Sequence, residues 1–499
     1  MFKPIVWTIA GSDCGGGAGI QADLHTFHAL GTHGCSVIAA LTAQNSQKVR
    51  KIEFVSADML TAQIEALTED MPACAIKLGM LGSLPSLQAI TLLLKKLHVP
   101  IIYDPVLFAS AGASLHEGDV RQFLREELFP ILQLLTPNIP EAEWLLGREL
   151  KSNADIENAA QELLALGPKA ILIKGGHAKE QQNYCQDFWT DGKHSGWLTN
   201  KRLTTNHRHG SGCTLASAIT ACLAHGHELS DAIIIAKAYV NQGMRFSAPL
   251  GKGPGPIEHL SWPMTQEDYP WLSPTSHVNE FHFPTCGPEP LGFYPIVETV
   301  EWVEKLVSNG VTTLQLRIKT QSQTFLENEI KKSIDLARKY NARLFINDHW
   351  ELAIKFGAYG VHLGQEDLEK ADFAAIQKAG LRLGISTHSY TEIARAHAIR
   401  PSYLAMGPIY PTQTKAMPFA PQGLEKLLRY RRTFDYPFVA IGGINWQRMP
   451  GVWQTGVNGV AVISAITTAK NPEAEIKRWV NFFKGAIVIN QLNEVMELP

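Results

Sequence analysis

A chain of 499 residues, 45% hydrophobic and 18% charged, is long enough to bury the cores of two large domains and too apolar to be a disordered polymer. Its 45 basic and 47 acidic side chains leave a formal net charge of -2, which removes the electrostatic ground for a nucleic-acid partner. The seven cysteines, Cys14, Cys35, Cys74, Cys185, Cys213, Cys222 and Cys286, are odd in number, scattered and free of any C-x-x-C pair, so a reduced, cytoplasmic protein is expected. No run approaches the roughly 20 apolar residues of a membrane span, and the apolar stretch 5–10 is too short for a signal segment.

Taken in chain order, residues 6–10 read as a strand, followed by a glycine-rich loop and a helix over 20–30. Short apolar runs at 101–104, 134–137 and 170–174 read as further strands separated by helical patterns, and 213–225 reads as a helix opened by glycines. This alternation predicts an α/β domain with a mostly parallel sheet. From about residue 261 to 290 the rhythm breaks into Pro, Trp, Tyr and His, as in Tyr269-Pro270-Trp271. That stretch reads as a linker partly packed on a surface, dividing domains over 1–262 and 290–499 with 263–289 between them. Beyond it, strands are expected at 292–297, 313–318, 343–347, 360–363, 382–386, 403–407, 438–442 and 459–464, with helices such as 299–308, 325–340 and 424–430 between them. The count and length fit a (β/α)8 TIM barrel, with its chemistry at the C-terminal strand ends; an open doubly wound sheet is the alternative.

Three features of the first half converge on phosphoryl transfer. The loop Gly11-Ser12-Asp13-Cys14-Gly15-Gly16-Gly17-Ala18-Gly19 lets backbone approach a ligand closely. Gly210, Ser211 and Gly212 open a small-residue helix whose N–H groups and dipole suit an anion, and Cys213 at its first turn is expected to have a lowered pKa and to accept a hydroxyl proton. Asn138 and Glu141 form an N-x-x-E pattern after a strand, where a carboxylate can hold Mg2+ through water.

Together these features resemble the ribokinase-like superfamily (α/β/α), and within it the hydroxymethylpyrimidine/phosphomethylpyrimidine kinases, over roughly residues 3–260. The diagnostic strings are Gly19-Ile20-Gln21-Ala22-Asp23-Leu24, Ala43-Gln44-Asn45, Lys77-Leu78-Gly79-Met80-Leu81, Asp104-Pro105-Val106, Lys174-Gly175-Gly176-His177 and Gly210-Ser211-Gly212-Cys213. The resemblance implies that Gln44 hydrogen-bonds the pyrimidine with Asp23 and Met80 near it. Lys174 would lie near the nucleotide, Glu141 would organise Mg2+, and Cys213 would be the catalytic base with ATP as co-substrate. Cys14-Gly15, where the family more often has Pro-Ser, and the basic run His207-Arg208-His209 depart from the pattern.

In the second half Gln315, Arg317 and Lys319 alternate along a strand end, which turns them to one side, as a pyrophosphate site requires. Asp348 and Asp367 follow two successive strands and, in a barrel, face one another as a Mg2+ site. Thr412, Thr414 and Lys415 bring two hydroxyls and an ammonium to a loop, while Gly443, Ile463 and Ser464 end the last strands, where many barrels hold phosphate. This set resembles thiamine-phosphate synthase over roughly residues 290–490. The resemblance assigns Gln315, Arg317, Lys319, Asn347, Ser386 and Lys415 to the pyrimidine pyrophosphate, and Asp348 and Asp367 to Mg2+. Thr412, Thr414, Gly443, Ile463 and Ser464 go to the thiazole phosphate.

The implied partners are small molecules, with neither nucleic acid nor membrane, and a homo-oligomer is expected. Two other readings compete: a kinase fused to a non-catalytic barrel, and a pyridoxal kinase in the first half. The complete set of barrel charges argues against the first, and Gln44 with its fused neighbour against the second.

Overall fold

The computed structural model describes residues 3–106, 120–175, 183–319, 322–412 and 420–496, with side chains in the final helix as far as residue 485. Two compact units divide the chain, one ending at Val278 and the other beginning at Asn279.

The first unit is built on β1 (Ile5–Asp13), β2 (His33–Gln44), β3 (Val49–Phe54), β4 (Ala75–Leu78), β5 (Ile101–Tyr103), β6 (Leu134–Leu135), β7 (Ile171–Lys174), β8 (Tyr184–Thr190), β9 (Ser195–Lys201) and β10 (Trp271–Ser273). They form one ten-stranded sheet in the order β10-β9-β8-β7-β6-β5-β4-β1-β2-β3. Pairing is parallel from β7 through to β2 and antiparallel at both edges. The central strands are continuous apolar runs because both faces are covered: every residue of β4 is buried, Lys77 included. Trp7, Ile9, Val37, Ile76, Leu78, Ile90 and Phe129 pack together in the core of this unit.

The segment expected to be a linker, 263–289, is instead divided between the two units. Trp271–Ser273 pairs with β9 as an edge strand, Asp268 is gripped by Arg245 at 2.7 Å, and Tyr269 donates to the Pro263 carbonyl. Further on, Phe283 and Cys286 are buried, and the Cys286 carbonyl accepts from Arg343 and Tyr359 of the second unit. Proline and aromatic content hid this: each of these contacts is a single anchor with no repeating period.

The second unit is a closed barrel of β11 (Gly292–Val297), β12 (Thr313–Leu316), β13 (Arg343–Asn347), β14 (Gly360–Leu363), β15 (Arg382–Thr387), β16 (Tyr403–Met406), β17 (Phe438–Ile441) and β18 (Gly459–Val462). All neighbours pair in parallel, and β18 closes on β11. An open sheet is thereby excluded. Tyr294, Phe345, Tyr403, Val439 and Ala461 fill the interior, so the barrel is a packed core and its mouth is the place left for a ligand.

Candidate active sites

In the first unit the glycine loop after β1 is organised by one side chain. Asp13 accepts from the backbone N–H groups of Gly15 at 2.8 Å, Gly17 at 3.2 Å and Ala18 at 3.0 Å, and its carboxyl lies below the usual range, burial being outweighed by those bonds and by His209. His209 Nε2 sits 3.5 Å from Asp13 and 3.3 Å from Gln44 Nε2. The departure at His207–His209 therefore has a structural role: it ties the loop to the amide expected to read the pyrimidine. Cys14, the other departure, donates its thiol to the Gln44 carbonyl at 3.1 Å. Met80 is buried against Ala40, with Val106 beside them, an apolar patch on the strand that ends at Gln44. Asp23 is 0% exposed and both its oxygens are engaged, by Thr8, Lys77 and Ser217. It holds Lys77 in the buried interior of the unit.

Gly210 begins the helix Ser211–Ala224 with φ 80°, and no side chain caps that end. A Cβ at Gly210 would stand 2.0 Å from the Gly17 carbonyl, so only glycine lets the two loops meet. The uncapped first-turn N–H groups suit an anion. Around them gather Asp104, Lys174 and Glu141. Lys174 Nζ meets Asp104 at 2.5 Å, and both Lys174 Nζ and Asp104 Oδ2 lie within 3.4 Å of a Cβ built on Gly212. Burial alone would lower the Lys174 pKa, but Asp104 and Glu141 raise it. Glu141 is pushed up to about 7 by burial and by Asp104, against the pull of Lys174; with Asn138 it forms a capping box, Asn138 N–H to Glu141 at 2.7 Å. The expectation of a lowered Cys213 pKa is overturned. Burial and the Asp23 and Asp104 carboxylates push the thiol up to about 11, outweighing Lys77.

At the barrel mouth β12 ends at Leu316, so only Gln315 of the alternating trio stands on the strand. Burial falls in series outward: Gln315 is buried, Arg317 half-buried and Lys319 exposed. Gln315 starts a chain of polar contacts through the barrel interior. Its amide donates to the Tyr294 hydroxyl at 3.3 Å, Tyr294 and Tyr403 hydroxyls are 2.7 Å apart, Tyr403 meets His362 Nδ1 at 2.8 Å, and His362 Nε2 meets Ser386 at 2.9 Å. Burial and Arg317 push His362 down to about 4, so the imidazole is neutral and offers one donor and one acceptor. The two ends of the chain, Gln315 and Ser386, are both expected ligand contacts, held at a fixed spacing across the barrel.

Asp348 and Asp367 follow β13 and β14 at the same end of the barrel. Asp348 adopts φ 63°, a strained backbone for a residue with a side chain. Its carboxyl is pushed up to about 6 by burial and by the like charge of Asp367, against Arg317 and Asn347. Two carboxylates that crowd one another in this way fit a divalent cation, which relieves their repulsion. Two carboxylates are the kind of donor set that Mg2+ takes, with waters and phosphate oxygens as its remaining ligands. In the kinase-like site Asp104 and Glu141 show the same strain of neighbouring acids.

Thr412 is half-buried beyond β16; Thr414 and Lys415 lie outside the described residues, as do Gly176 and His177. The Gly443 carbonyl accepts from Arg448 at 2.7 Å, and Ile463 precedes the short helix Ser464–Thr467 beyond β18. Sequence reasoning did not assign roles to Asp13, Lys77, Asp104, His209, Tyr294, His362 or Tyr403. Lys77, Asp104 and His362 carried a signal, a charged or polar side chain inside or ending an apolar strand. The two tyrosines carried none, since a buried tyrosine reads as core.

A sheet domain with an uncapped anion-binding helix start and a buried lysine–acid cluster, on one chain with a parallel barrel crowned by paired acids, defines a double phosphate-handling transferase. Residues 13–258 match the phosphomethylpyrimidine kinase family and residues 294–466 the thiamine monophosphate synthase family. The chain is 34% identical over 496 residues, 96% of its length and 88% of the relative's, to a probable thiamine biosynthetic bifunctional enzyme, chloroplastic, of Oryza sativa subsp. japonica. It is 57% identical over 196 residues, 39% of its length and 91% of the relative's, to a thiamine-phosphate synthase of Yersinia pestis (strain Pestoides F). A pyridoxal kinase structure from Staphylococcus aureus superposes with TM-score 0.50 at 29% identity, covering 55% of this chain and 98% of that one. The chain belongs to the bifunctional enzymes of thiamine biosynthesis, a ribokinase-like kinase joined to a TIM-barrel thiamine-phosphate synthase.

Proposed function

We propose that the first unit phosphorylates 4-amino-5-hydroxymethyl-2-methylpyrimidine and then its monophosphate, with ATP as donor. The second unit condenses the resulting diphosphate with 4-methyl-5-(2-phosphoethyl)thiazole, giving thiamine phosphate and pyrophosphate. In the kinase, Gln44 presents an amide donor and acceptor to the aminopyrimidine edge, and Met80 supplies the apolar wall. The Gly210-Ser211-Gly212 turn and Lys174 receive the phosphates, Glu141 with Asn138 would organise Mg2+, and Cys213 takes the hydroxyl proton only as its thiolate, the minor form of a thiol pushed up to about 11.

In the synthase, Gln315, Asn347 and Ser386 orient the pyrimidine diphosphate, while Arg317, Lys319 and Lys415 neutralise charge growing on the leaving pyrophosphate. Thr412, Thr414, Gly443, Ile463 and Ser464 hold the thiazole phosphate. Asp348 and Asp367 would hold Mg2+, which would supply positive charge to the phosphate oxygens when bound. The residues do little proton transfer; they position and stabilise charge. Seven free thiols support a reducing, cytosolic compartment, and among the described residues no helix is long and apolar enough to cross a membrane.

The observation that carries the reading is the crowded acid pair Asp348–Asp367 beside Arg317 at the barrel mouth. The test uses the whole chain with Mg2+, ATP, the pyrimidine alcohol and the thiazole phosphate, reading thiamine phosphate. Asp348→Ala and Lys415→Ala each lower synthase turnover by at least about tenfold, roughly 1.4 kcal/mol of barrier. Cys213→Ala stops synthesis from the alcohol but spares synthesis from the ready-made diphosphate. Wild-type rates in both barrel variants sink the synthase assignment.

A further inference from the structure

Both departures from the kinase pattern, at Cys14 and at His207–His209, converge on Gln44. The backbone of Gln44 stands opposite Val49 after a bulge in the pairing of β2 with β3. It is also held by Cys14, whose sulfur donates to its carbonyl at 3.1 Å and accepts from its N–H at 3.3 Å. These contacts leave open the orientation of the side-chain amide. A primary amide has nearly the same shape either way up, yet one end donates and the other accepts. The ligand edge it can read therefore depends on which end is committed to the protein.

His209 commits the nitrogen. Its backbone is tied on both sides, its N–H donating to the Gly255 carbonyl at 3.1 Å and its carbonyl accepting from Ile257 at 3.2 Å. The ring lies against Gly17, where a Cβ would stand 2.7 Å from Cδ2, so glycine makes room for the imidazole. Its Nε2 lies 3.3 Å from Gln44 Nε2 and 3.5 Å from Asp13 Oδ2. One ring nitrogen cannot serve both: with a hydrogen it faces the carboxylate, and without one it accepts from the amide. Asp13 Oδ2 already accepts from the N–H groups of Gly17 and Ala18, and the amide is the nearer partner. These neighbours assign the imidazole hydrogen to Nδ1 and one Gln44 N–H to His209. Gln44 Oε1 accepts no hydrogen bond among the described residues.

We propose that His209 is a specificity-determining residue that acts through Gln44: by holding the amide nitrogen it presents the carbonyl oxygen, an acceptor, to the substrate. The inference rests on the reading of Gln44 as the residue that meets the pyrimidine. An acceptor there selects a ring with an exocyclic amino group beside the hydroxymethyl group. It disfavours a ring with an oxygen lone pair at that position, including pyridine alcohols whose ring hydroxyl is ionised. An untethered amide would turn over and take either.

The test is substrate preference of the full-length chain with Mg2+ and ATP, read as ADP release. Thiazole phosphate is left out, so only the kinase turns over, and the assay is run at about pH 8, where an ordinary imidazole is neutral. The two substrates are 4-amino-5-hydroxymethyl-2-methylpyrimidine and its 4-oxo analogue. Both kcat/KM values are taken on one preparation, so their ratio is independent of how much of the chain is folded. Wild type prefers the amino compound by about a hundredfold or more, as a site does that meets a mismatched hydrogen-bonding group. His209→Phe keeps a ring without an acceptor, and the preference falls by about tenfold or more as the oxo analogue improves. His209→Gln, whose own carbonyl oxygen can hold the Gln44 nitrogen, restores most of it. Should His209→Phe fail to fold, His209→Ala decides by the same ratio. A preference close to wild type in His209→Phe, while Gln44→Leu loses it, overturns the proposal and leaves the Gln44 reading standing. Equal loss in His209→Phe and His209→Gln shows that the ring only supports the loop, and overturns it too. A Gln44→Leu chain that keeps the preference takes Gln44 away from the pyrimidine, and the proposal falls with that reading.

Discussion

Asp348 is held in a strained backbone conformation, φ 63°, and beside a like charge, both of which cost stability. Its carboxyl rises from 3.8 to about 6, so between about pH 4 and 6 the folded chain binds more protons here than the unfolded chain does. The pair's contribution to stability therefore falls as pH rises through that window. Asp348→Asn removes the repulsion while keeping the shape. In chelator at pH 7.5 the variant should melt above wild type, by on the order of 1 kcal/mol: protein around the Asp348 carboxyl desolvates it in part, but the residue reaches solvent, which screens the pair. The gap should close as the pH falls to about 4. Added Mg2+ should raise the wild type and leave the variant unmoved. Thermal melts with and without Mg2+ at both pH values check the sign, and a variant less stable than metal-free wild type at pH 7.5 would refute it. Glu141, raised to about 7 for the same kind of reason, shows that the kinase unit also keeps an acid under strain where a cation is expected.

At the scale of elements, one glycine shows how the barrel makes room for its polar chain. A Cβ on Gly384 of β15 would stand 2.1 Å from the Tyr403 ring of β16, and Tyr403 is 0% exposed and bonded to both Tyr294 and His362. Gly384→Ala should therefore cost about 1–3 kcal/mol through overpacking. It should also raise KM for the pyrimidine diphosphate by breaking the link between Gln315 and Ser386. Chemical denaturation with steady-state kinetics checks both, and unchanged KM and stability together would show that Tyr403 yields freely. The barrel strands were legible because each is an apolar run between helices of clear period; expected and observed bounds agree within a residue or two from β11 to β18. The first unit was read less fully. Its edge strands are half polar, as Val49–Phe54 shows with Arg50, Lys51 and Glu53, and the hairpin of β8 and β9 lies behind a turn at Asp191-Gly192 that its flanking strands did not announce. Motif and spacing singled out Gln44, Glu141, Gln315, Asp348 and Asp367, which the fold places at strand ends, in the loops after them or at a helix start. The acidity of Cys213 was not legible, because a helix start is visible in sequence whereas burial and the neighbouring Asp23 and Asp104 are tertiary facts.

On the scale of the whole molecule, the residues proposed for the two activities fall in separate units. Those of the kinase run from Asp13 to Cys213 and those of the synthase from Gln315 to Ser464, on either side of the division between Val278 and Asn279. If each site works on its own, the intermediate diphosphate leaves one and enters the other through solvent. A mixture of full-length Cys213→Ala and full-length Asp348→Ala chains should then make thiamine phosphate from the alcohol at the steady-state rate expected for half as many working sites of each kind. The lag should lengthen as the chains are diluted, because the intermediate must build up in solution toward KM of the synthase. The same dilution applied to wild type should lengthen its lag equally. If wild type keeps a short, dilution-independent lag while the mixture slows, the tether delivers the diphosphate directly, and the fusion would have a kinetic role that two self-sufficient sites do not require.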